Sequence, residues 1–140
     1  MMVSTRGRYA LRILIDLGQH GTEEFVSLKA VSERQDISMK YMEAIVSSLT
    51  KAGFLRSRRG KTGGYQLSRP ASDINVGEVL RLTEGSLAPV ACMENGGCAE
   101  CGRSASCLTL PLWQQLDQLV GDYLKGVSIQ DLMDGTVKKA

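Results

Sequence analysis

The chain has 140 residues, of which 43% are hydrophobic, enough for one domain with a modest core. No apolar run is long enough to cross a membrane. The apolar run 10–17 is interrupted by Arg12 and Asp16 and has no signal-peptide cleavage site behind it. We therefore expect a cytoplasmic protein with no membrane partner, whose four cysteines are ligands or sensors rather than disulfides.

Charge is distributed unevenly along the chain. Residues 1–65 carry eleven Lys and Arg against six Asp and Glu, a net charge of +5. Residues 66–140 carry six against nine, a net charge of −3, and contain all the cysteines. The two halves are thus expected to face different partners, and the basic half is expected to bind a polyanion.

The segment STRGRYALRILIDLGQHG predicts a first helix whose apolar residues cover most of its circumference, which is typical of a buried helix. Arg6, Arg8 and Arg12 lie at or near its start, the end where the helix dipole disfavours positive charge. Two explanations stay open. The arginines are simply solvated, or an anion from outside the helix offsets their charge.

Two further helices form a helix-turn-helix pattern. The first runs from the N-cap Ser27 to about Gln35, and the second begins at Ser38 after a tight connection. The second helix has a core-facing stripe at helical spacing, formed by Met42, Ile45, Val46 and Leu49, and is ended by Gly53. Its opposite face, which includes Lys40, Tyr41 and Glu43, is suited to reading DNA.

The segment GFLRSRRGKTGGYQL predicts a β-hairpin, because alternation about Leu55, Tyr65 and Leu67 indicates two short strands joined through a glycine-rich turn. Four cations lie within six residues of this hairpin: Arg56, Arg58, Arg59 and Lys61. A basic hairpin after a recognition helix is the wing of a winged helix, which reaches the DNA backbone or minor groove.

The remaining helices follow the wing. Asn75 is expected to cap a fourth helix, with Glu78 bonding back to the cap. A long helix then begins near Pro111, and its apolar seam is Trp113, Leu116, Val120, Tyr123 and Val127. Leu112, Leu119 and Leu124 widen this apolar face, so we expect a dimer helix, with folding back on the domain as the alternative. Ser128 and Asp131 predict a capping box for a last short helix.

All four cysteines lie within sixteen residues, in CMENGGCAECGRSASC. Thiolates at this density, among Gly and Ser, are typical of a site for an iron–sulfur cluster or zinc. Zinc ribbons usually contain two close cysteine pairs, whereas here only Cys98 and Cys101 are close. His20 is the only histidine, and no arrangement of a nucleophile with a base indicates an enzyme.

In these motifs the chain resembles the IscR-type winged-helix transcriptional regulators of bacteria, the Rrf family that also includes NsrR and CymR. The resemblance covers nearly the whole chain: STRGRYAL, SERQDIS into KYMEAIVSSLTKAGFL, SRRGKTGGYQLSRP, INVGEVLRLTEG, and the cysteine loop leading into CLTLPLW. It implies a mainly α fold with a small β-hairpin wing. It divides the chain into a winged helix-turn-helix domain (1–85), a cluster-binding loop (86–107) and a dimerisation helix with a short C-terminal helix (108–140).

The resemblance also implies a homodimer that binds a palindromic operator and holds a two-iron or four-iron cluster. Cys92, Cys98 and Cys107 match the three cluster cysteines of IscR-like members. Two departures follow: Leu110 stands where those members have a histidine ligand, and Arg8 where NsrR-like members take a carboxylate from the first helix. Cys101 is our expected fourth ligand, with Glu100, a partner-chain residue or a small ligand as alternatives.

The expected mechanism is transcriptional regulation by a DNA-binding repressor or activator that senses iron–sulfur, redox or nitric oxide status. Ser38, Lys40, Tyr41 and Glu43 would read the major groove. Arg56, Arg58, Arg59 and Lys61 would contact phosphates or the minor groove, with Thr5 and Arg6 on the backbone. The alternatives are a zinc-stapled winged-helix repressor without a cluster and, from another class, a small iron–sulfur electron carrier.

Overall fold

The computed structural model describes residues 2–96 and 101–140. In these ranges it contains six α-helices, a two-stranded hairpin and two short 3-10 segments. In chain order they are α1 (Thr5–His20), α2 (Leu28–Gln35), α3 (Met39–Lys51), β1 (Leu55–Arg58), β2 (Gly64–Leu67), a 3-10 turn (Ala71–Asp73), α4 (Val76–Glu84), a 3-10 segment (Ala91–Gly96), α5 (Leu110–Lys125) and α6 (Ile129–Asp134). The predicted fold class, mainly α with a hairpin wing, is confirmed.

The helix starts predicted from side-chain caps are confirmed. The side chains of Ser27, Ser38 and Ser128 each accept a hydrogen bond from a backbone N–H in the first turn of α2, α3 and α6. Asn75 likewise accepts from the N–H of Glu78 at 2.9 Å. The reciprocal bond predicted for Glu78 is wrong, because its carboxylate pairs with Arg69 at 3.1 Å instead.

The main core joins α1 to α3. The predicted stripe of α3 is buried and packs with four residues of α1; the eight are Met42, Ile45, Val46, Leu49, Ala10, Ile13, Leu14 and Leu17. The hairpin pairs Leu55 with Leu67 and Arg58 with Gly64. Val26 adds a short bridge to Tyr65 through two backbone bonds of 2.8 and 3.0 Å. The wing is therefore attached to the segment that leads into α2.

Helix α6 returns to the main core, where Ile129 is completely buried. Backbone bonds of 2.9 Å from Ile129 to Ile74 and from Val76 to Val127 hold it beside the start of α4. Val127 was predicted on the seam of the dimer helix, but α5 ends at Lys125 and Val127 lies in a second small core with Val76, Leu80 and Leu87. None of the described helices is long and apolar enough to cross a membrane.

Candidate nucleic-acid interface

The outer face of α3 is free for contact with a ligand. Lys40, Tyr41 and Glu43 are all exposed. Ser38 is exposed as well, but its hydroxyl oxygen also accepts the N–H of Tyr41 at 3.3 Å, so it caps the helix. The four side chains predicted to read bases thus occupy the first turns of one helix, a position from which recognition helices enter the major groove.

The side chain of Tyr41 packs against a residue of α1. Its ring meets the ring of Tyr9 edge to face, with centroids 5.6 Å apart. The guanidinium of Arg12 lies over the Tyr9 ring at 5.3 Å. Arg12 also donates to the backbone oxygen of Gln35 and, at 3.2 Å, to its side-chain oxygen. These contacts connect α1, the end of α2 and the start of α3.

A buried carboxylate strengthens this connection. Asp16 is completely buried in α1 and accepts two hydrogen bonds from Arg34, at 2.7 and 3.0 Å, and one from Gln35 at 2.9 Å. Burial alone would raise the pKa of Asp16, but the hydrogen bonds from Arg34 and Gln35 and the positive charge of Arg34 outweigh it and hold the pKa below its ordinary value. Asp16 is therefore ionised and fixes α2 against α1.

The start of α1 places the two residues predicted to contact the DNA backbone. Arg6 is exposed and donates to the hydroxyl of Ser48 on α3 at 2.7 Å. Thr5 is half-buried, and its hydroxyl accepts from Arg8 at 3.1 Å. The carboxylate of Glu84 also lies at this helix end, where it accepts a hydrogen bond from the Ser4 hydroxyl at 2.7 Å.

The wing exposes all four of its predicted cations. The guanidinium groups of Arg56 and Arg58 both lie over the ring of Phe25, at 5.7 and 4.4 Å from its centroid. Arg56 also donates to the side-chain oxygen of Gln66 at 2.9 Å, and Arg58 to the backbone oxygen of Thr62 at 2.9 Å. Within the described parts of the chain, Arg59 and Lys61 form no ion pair. The turn therefore carries unneutralised positive charge.

The cysteine loop connects α4 to α5. Cys92 is exposed in the 3-10 segment, and Cys101 and Cys107 are half-buried; all three are free thiols. Cys98 and Glu100 lie outside the described residues. Among residues 2–96 and 101–140, no three His, Cys, Asp or Glu side chains are grouped as a metal site. The donors nevertheless have the chemistry that iron–sulfur clusters and zinc require, because they are free thiols.

Cys107 lies just before α5, where its thiol contacts the first residues of that helix. Its sulfur lies 3.4 Å from the hydroxyl oxygen of Thr109. The pKa of Cys107 is lowered first by this hydrogen bond and then by the backbone N–H groups of Thr109 and Leu110, with a smaller contribution from the charge of Arg103. Because the thiolate is the form that ligates metals, this environment favours ligation.

Helix α5 has no buried residue despite its apolar sequence. Leu112 and Leu119 are each 59% exposed, and Leu116 and Tyr123 are also exposed. Beside this face, Trp113, Leu116 and Val120 line an apolar cavity of about 250 Å³ together with Leu87, Pro89 and Val90. A single copy of the chain therefore leaves the predicted dimer face uncovered.

Sequence reasoning missed the residues that support the interface. Tyr9, Glu84 and the pair Asp16–Arg34 carry no motif of their own. The arginine-rich start of α1 left open whether an anion lies nearby, and no motif in the sequence indicated Glu84.

Comparison with known proteins gives a consistent assignment. The family Rrf2, described as iron-dependent transcriptional regulator, matches residues 3–135. Protein rrf2 of Nitratidesulfovibrio vulgaris is 42% identical over 133 residues, covering 95% of this chain and 87% of that protein. The transcriptional regulator IscR of Vibrio atlanticus is 38% identical, covering 95% of this chain and 75% of that protein.

Solved structures agree with the sequence matches. CymR, the global cysteine regulator of B. subtilis, superimposes with a TM-score of 0.78 at 33% identity, covering 97% of this chain and 98% of CymR. IscR of T. potens gives a TM-score of 0.76 at 33% identity, covering 96% of this chain and 88% of that chain. These relatives are named regulators rather than enzymes. The chain thus belongs to the Rrf2 family of winged-helix, DNA-binding transcriptional regulators.

Proposed function

We propose that the protein is a homodimeric transcriptional regulator that binds a palindromic operator and senses iron–sulfur, redox or nitric oxide status through its cysteine loop. The observation that carries the DNA-binding part is the exposed face of α3, where Lys40, Tyr41 and Glu43 stand free beside a basic wing. Tyr41 and Glu43 would contact base edges, Glu43 by accepting from a cytosine amine. Arg58, Arg59 and Lys61 would bind phosphates or the minor groove.

The proposed dimer forms through α5. Its apolar face is exposed in one copy, and a second copy related by twofold symmetry would cover it. Such a dimer presents two copies of α3 to two half-sites and so fixes their spacing. The proposed division into residues 1–85, 86–107 and 108–140 places the sensor loop between the DNA-reading part and the dimer helix, in a protein that would act in the cytoplasm.

Cys92, Cys98, Cys101 and Cys107 would hold the cluster as an all-thiolate site. A bound two-iron or four-iron cluster supplies a centre that responds to oxidation and to nitric oxide. Cys92 follows α4 and Cys107 precedes α5, so a change in loop structure would alter how the DNA-reading part sits relative to the dimer helix. Only a few kcal/mol between the two arrangements are needed to shift the binding-competent population.

Anaerobic purification with iron, sulfide and zinc analysis and an optical spectrum tests the cluster. We expect iron and sulfide in matched amounts, and a depleted or less stable cluster in Cys101→Ser. A protein that contains zinc and no iron would show that the cysteines hold a structural zinc ion instead of a cluster. A full, equally stable cluster in Cys101→Ser would show that another group is the fourth ligand.

DNA binding is tested separately by selecting from a random-sequence duplex library with the purified dimer. A palindromic consensus is expected. If neither the holo nor the apo protein enriched any sequence, the proposed regulator function would be contradicted. The alternative of a small iron–sulfur electron carrier would then be favoured.

A further inference from the structure

Glu84 connects two parts of the chain that are 80 residues apart. It is the last residue of α4 and is followed by the C-cap Gly85, which has a φ of 77°. Its Oε1 accepts hydrogen bonds from the Ser4 hydroxyl at 2.7 Å and from the Ser4 backbone N–H at 3.2 Å. The Thr83 hydroxyl lies 3.4 Å from the same oxygen. One carboxylate oxygen thus holds both donors of Ser4.

Ser4 is the N-cap of α1. Its hydroxyl oxygen accepts the N–H of Gly7 at 3.3 Å while the hydroxyl donates to Glu84. The bonds therefore run from Gly7 through Ser4 to Glu84, and the cap cannot rotate without breaking one of them. An N-cap fixed by a second residue holds the first helical turn in one conformation.

Gly7 makes room for this contact. It is buried, and a Cβ at this position would overlap Oε1 of Glu84 and lie 3.0 Å from Val3 and 3.1 Å from Thr83. Any side chain at residue 7 would therefore displace the carboxylate from Ser4. The glycine of the STRGRYAL segment has a role here that does not depend on an unusual backbone angle.

The charge of Glu84 also suits its position. The first turn of α1 contains no acidic residue and carries Arg6 and Arg8 instead. A carboxylate at a helix N-terminus interacts favourably with the dipole and offsets such arginines. Glu84 supplies from α4 the anion that α1 lacks.

We infer that Glu84 is a positioning residue for DNA binding, which acts by holding Ser4 so that the first turn of α1 presents Thr5 and Arg6 to backbone phosphates. The inference rests on the proposed contacts of Thr5 and Arg6 with DNA. Without the tether, the end of α1 frays, and DNA binding must order it at an entropic cost. Glu84 itself touches no DNA.

The test compares Glu84→Ala, Glu84→Gln and Glu78→Ala with the wild-type dimer on the DNA fragment that the wild type selects. Glu84→Ala is expected to weaken binding about tenfold and to reduce the slope of log Kd against log salt by about 1 for each lost phosphate contact. Glu84→Gln keeps an oxygen acceptor for both Ser4 donors and should stay within about threefold of wild type. Glu78→Ala removes the same charge from the other end of α4 and should leave the affinity and the slope unchanged.

Gly7→Ala gives an independent test, because it should raise the helix propensity of α1 while it separates Glu84 from Ser4. Alanine favours a helix over glycine by about 1 kcal/mol, yet its Cβ excludes Glu84 from Ser4. We expect weaker DNA binding and a lower salt slope, as for Glu84→Ala, and little further loss when Arg6→Ala is added to either variant. Gly7→Ala, alone and combined with Arg6→Ala, therefore tests the role of Glu84 even if Glu84→Ala folds poorly.

Equal or tighter binding by Glu84→Ala would overturn the inference, as would a Glu84→Gln variant as weak as Glu84→Ala. So would a fall in melting temperature with an unchanged salt slope, since that is the result of a purely structural role. A wild-type protein that binds no DNA would instead contradict the proposed function.

Discussion

The rings of Tyr9 and Tyr41 meet edge to face, with centroids 5.6 Å apart and planes at 85°. Tyr9 belongs to α1 and is half-buried, whereas Tyr41 is exposed on α3. Arg12 lies over the Tyr9 ring and is itself bonded to Gln35, so Tyr9 has a fixed position. The exposed ring of Tyr41, which we propose contacts DNA bases, is therefore already held in one orientation in the free protein.

Replacing Tyr9 with Ala is expected to lower specific DNA affinity about three- to tenfold, because an edge-to-face pair contributes about 0.5–1.5 kcal/mol and Tyr41 would lose its support. Competition between the selected operator and random-sequence DNA measures the effect. Specific binding should fall more than non-specific binding, since Tyr41 is proposed to read bases rather than phosphates.

Tyr9→Phe is the matched control, because it keeps the ring and removes only the hydroxyl. Near wild-type affinity is expected. Equal losses in Tyr9→Phe and Tyr9→Ala would show that the hydroxyl, and not the support of Tyr41, matters. An unchanged specificity ratio in Tyr9→Ala would contradict a role for Tyr9 in orienting the recognition helix.

The sequence predicted those features that depend on short spacing. The caps at Ser27, Ser38 and Ser128 are three residues from the backbone groups they bind, and the stripe of α3 repeats at helical spacing. The hairpin register follows from alternation about a glycine-rich turn. In each case the interacting groups are neighbours in the chain, so local pattern and residue type were sufficient.

Contacts between distant residues were not predictable in this way. Glu84 bonds to Ser4 across 80 residues and Arg34 to Asp16 across 18, and no spacing rule joins such pairs. Val127 illustrates the same difficulty: it continues the apolar repeat of α5, yet the helix ends at Lys125 and Val127 packs beside Val76. Tertiary packing overrode the periodic pattern there.

Asp16→Asn is expected to lower the free energy of unfolding by about 2–4 kcal/mol, because it breaks an ion pair whose carboxylate is buried and leaves Arg34 without its counter-charge. Denaturant unfolding at neutral pH measures this loss. Asp73→Asn is the control, since Asp73 is exposed and forms no ion pair within the described residues. It should change stability by less than about 0.5 kcal/mol.

The stability difference between wild type and Asp16→Asn should become smaller as the pH is lowered. The pKa of Asp16 is lower in the folded protein than in the unfolded chain, so its ionised form stabilises the fold. That contribution is present above the unfolded pKa of about 4 and is lost as the pH falls through the folded pKa. A difference that grew on acidification would contradict the assignment of Asp16 as an ionised, paired group.

Leu119→Asp tests whether α5 is the dimer helix. Leu119 is 59% exposed in one copy, so the variant should keep the fold and melting behaviour of the monomer. In a twofold dimer the change places two carboxylates in one apolar interface, where each is costly to desolvate. We expect the dimer dissociation constant to rise by about 100-fold or more, as measured by sedimentation equilibrium, and operator affinity to fall with it.

Gln114→Asp provides the control for this measurement. Gln114 is exposed on α5 and lies about 140° around the helix from Leu119, away from the apolar face. It introduces the same charge, so a dimer that persists in Gln114→Asp and dissociates in Leu119→Asp assigns the interface to the leucine face. A Leu119→Asp protein that remains a tight dimer would place the interface elsewhere, and the exposed leucines of α5 would then need another partner to cover them.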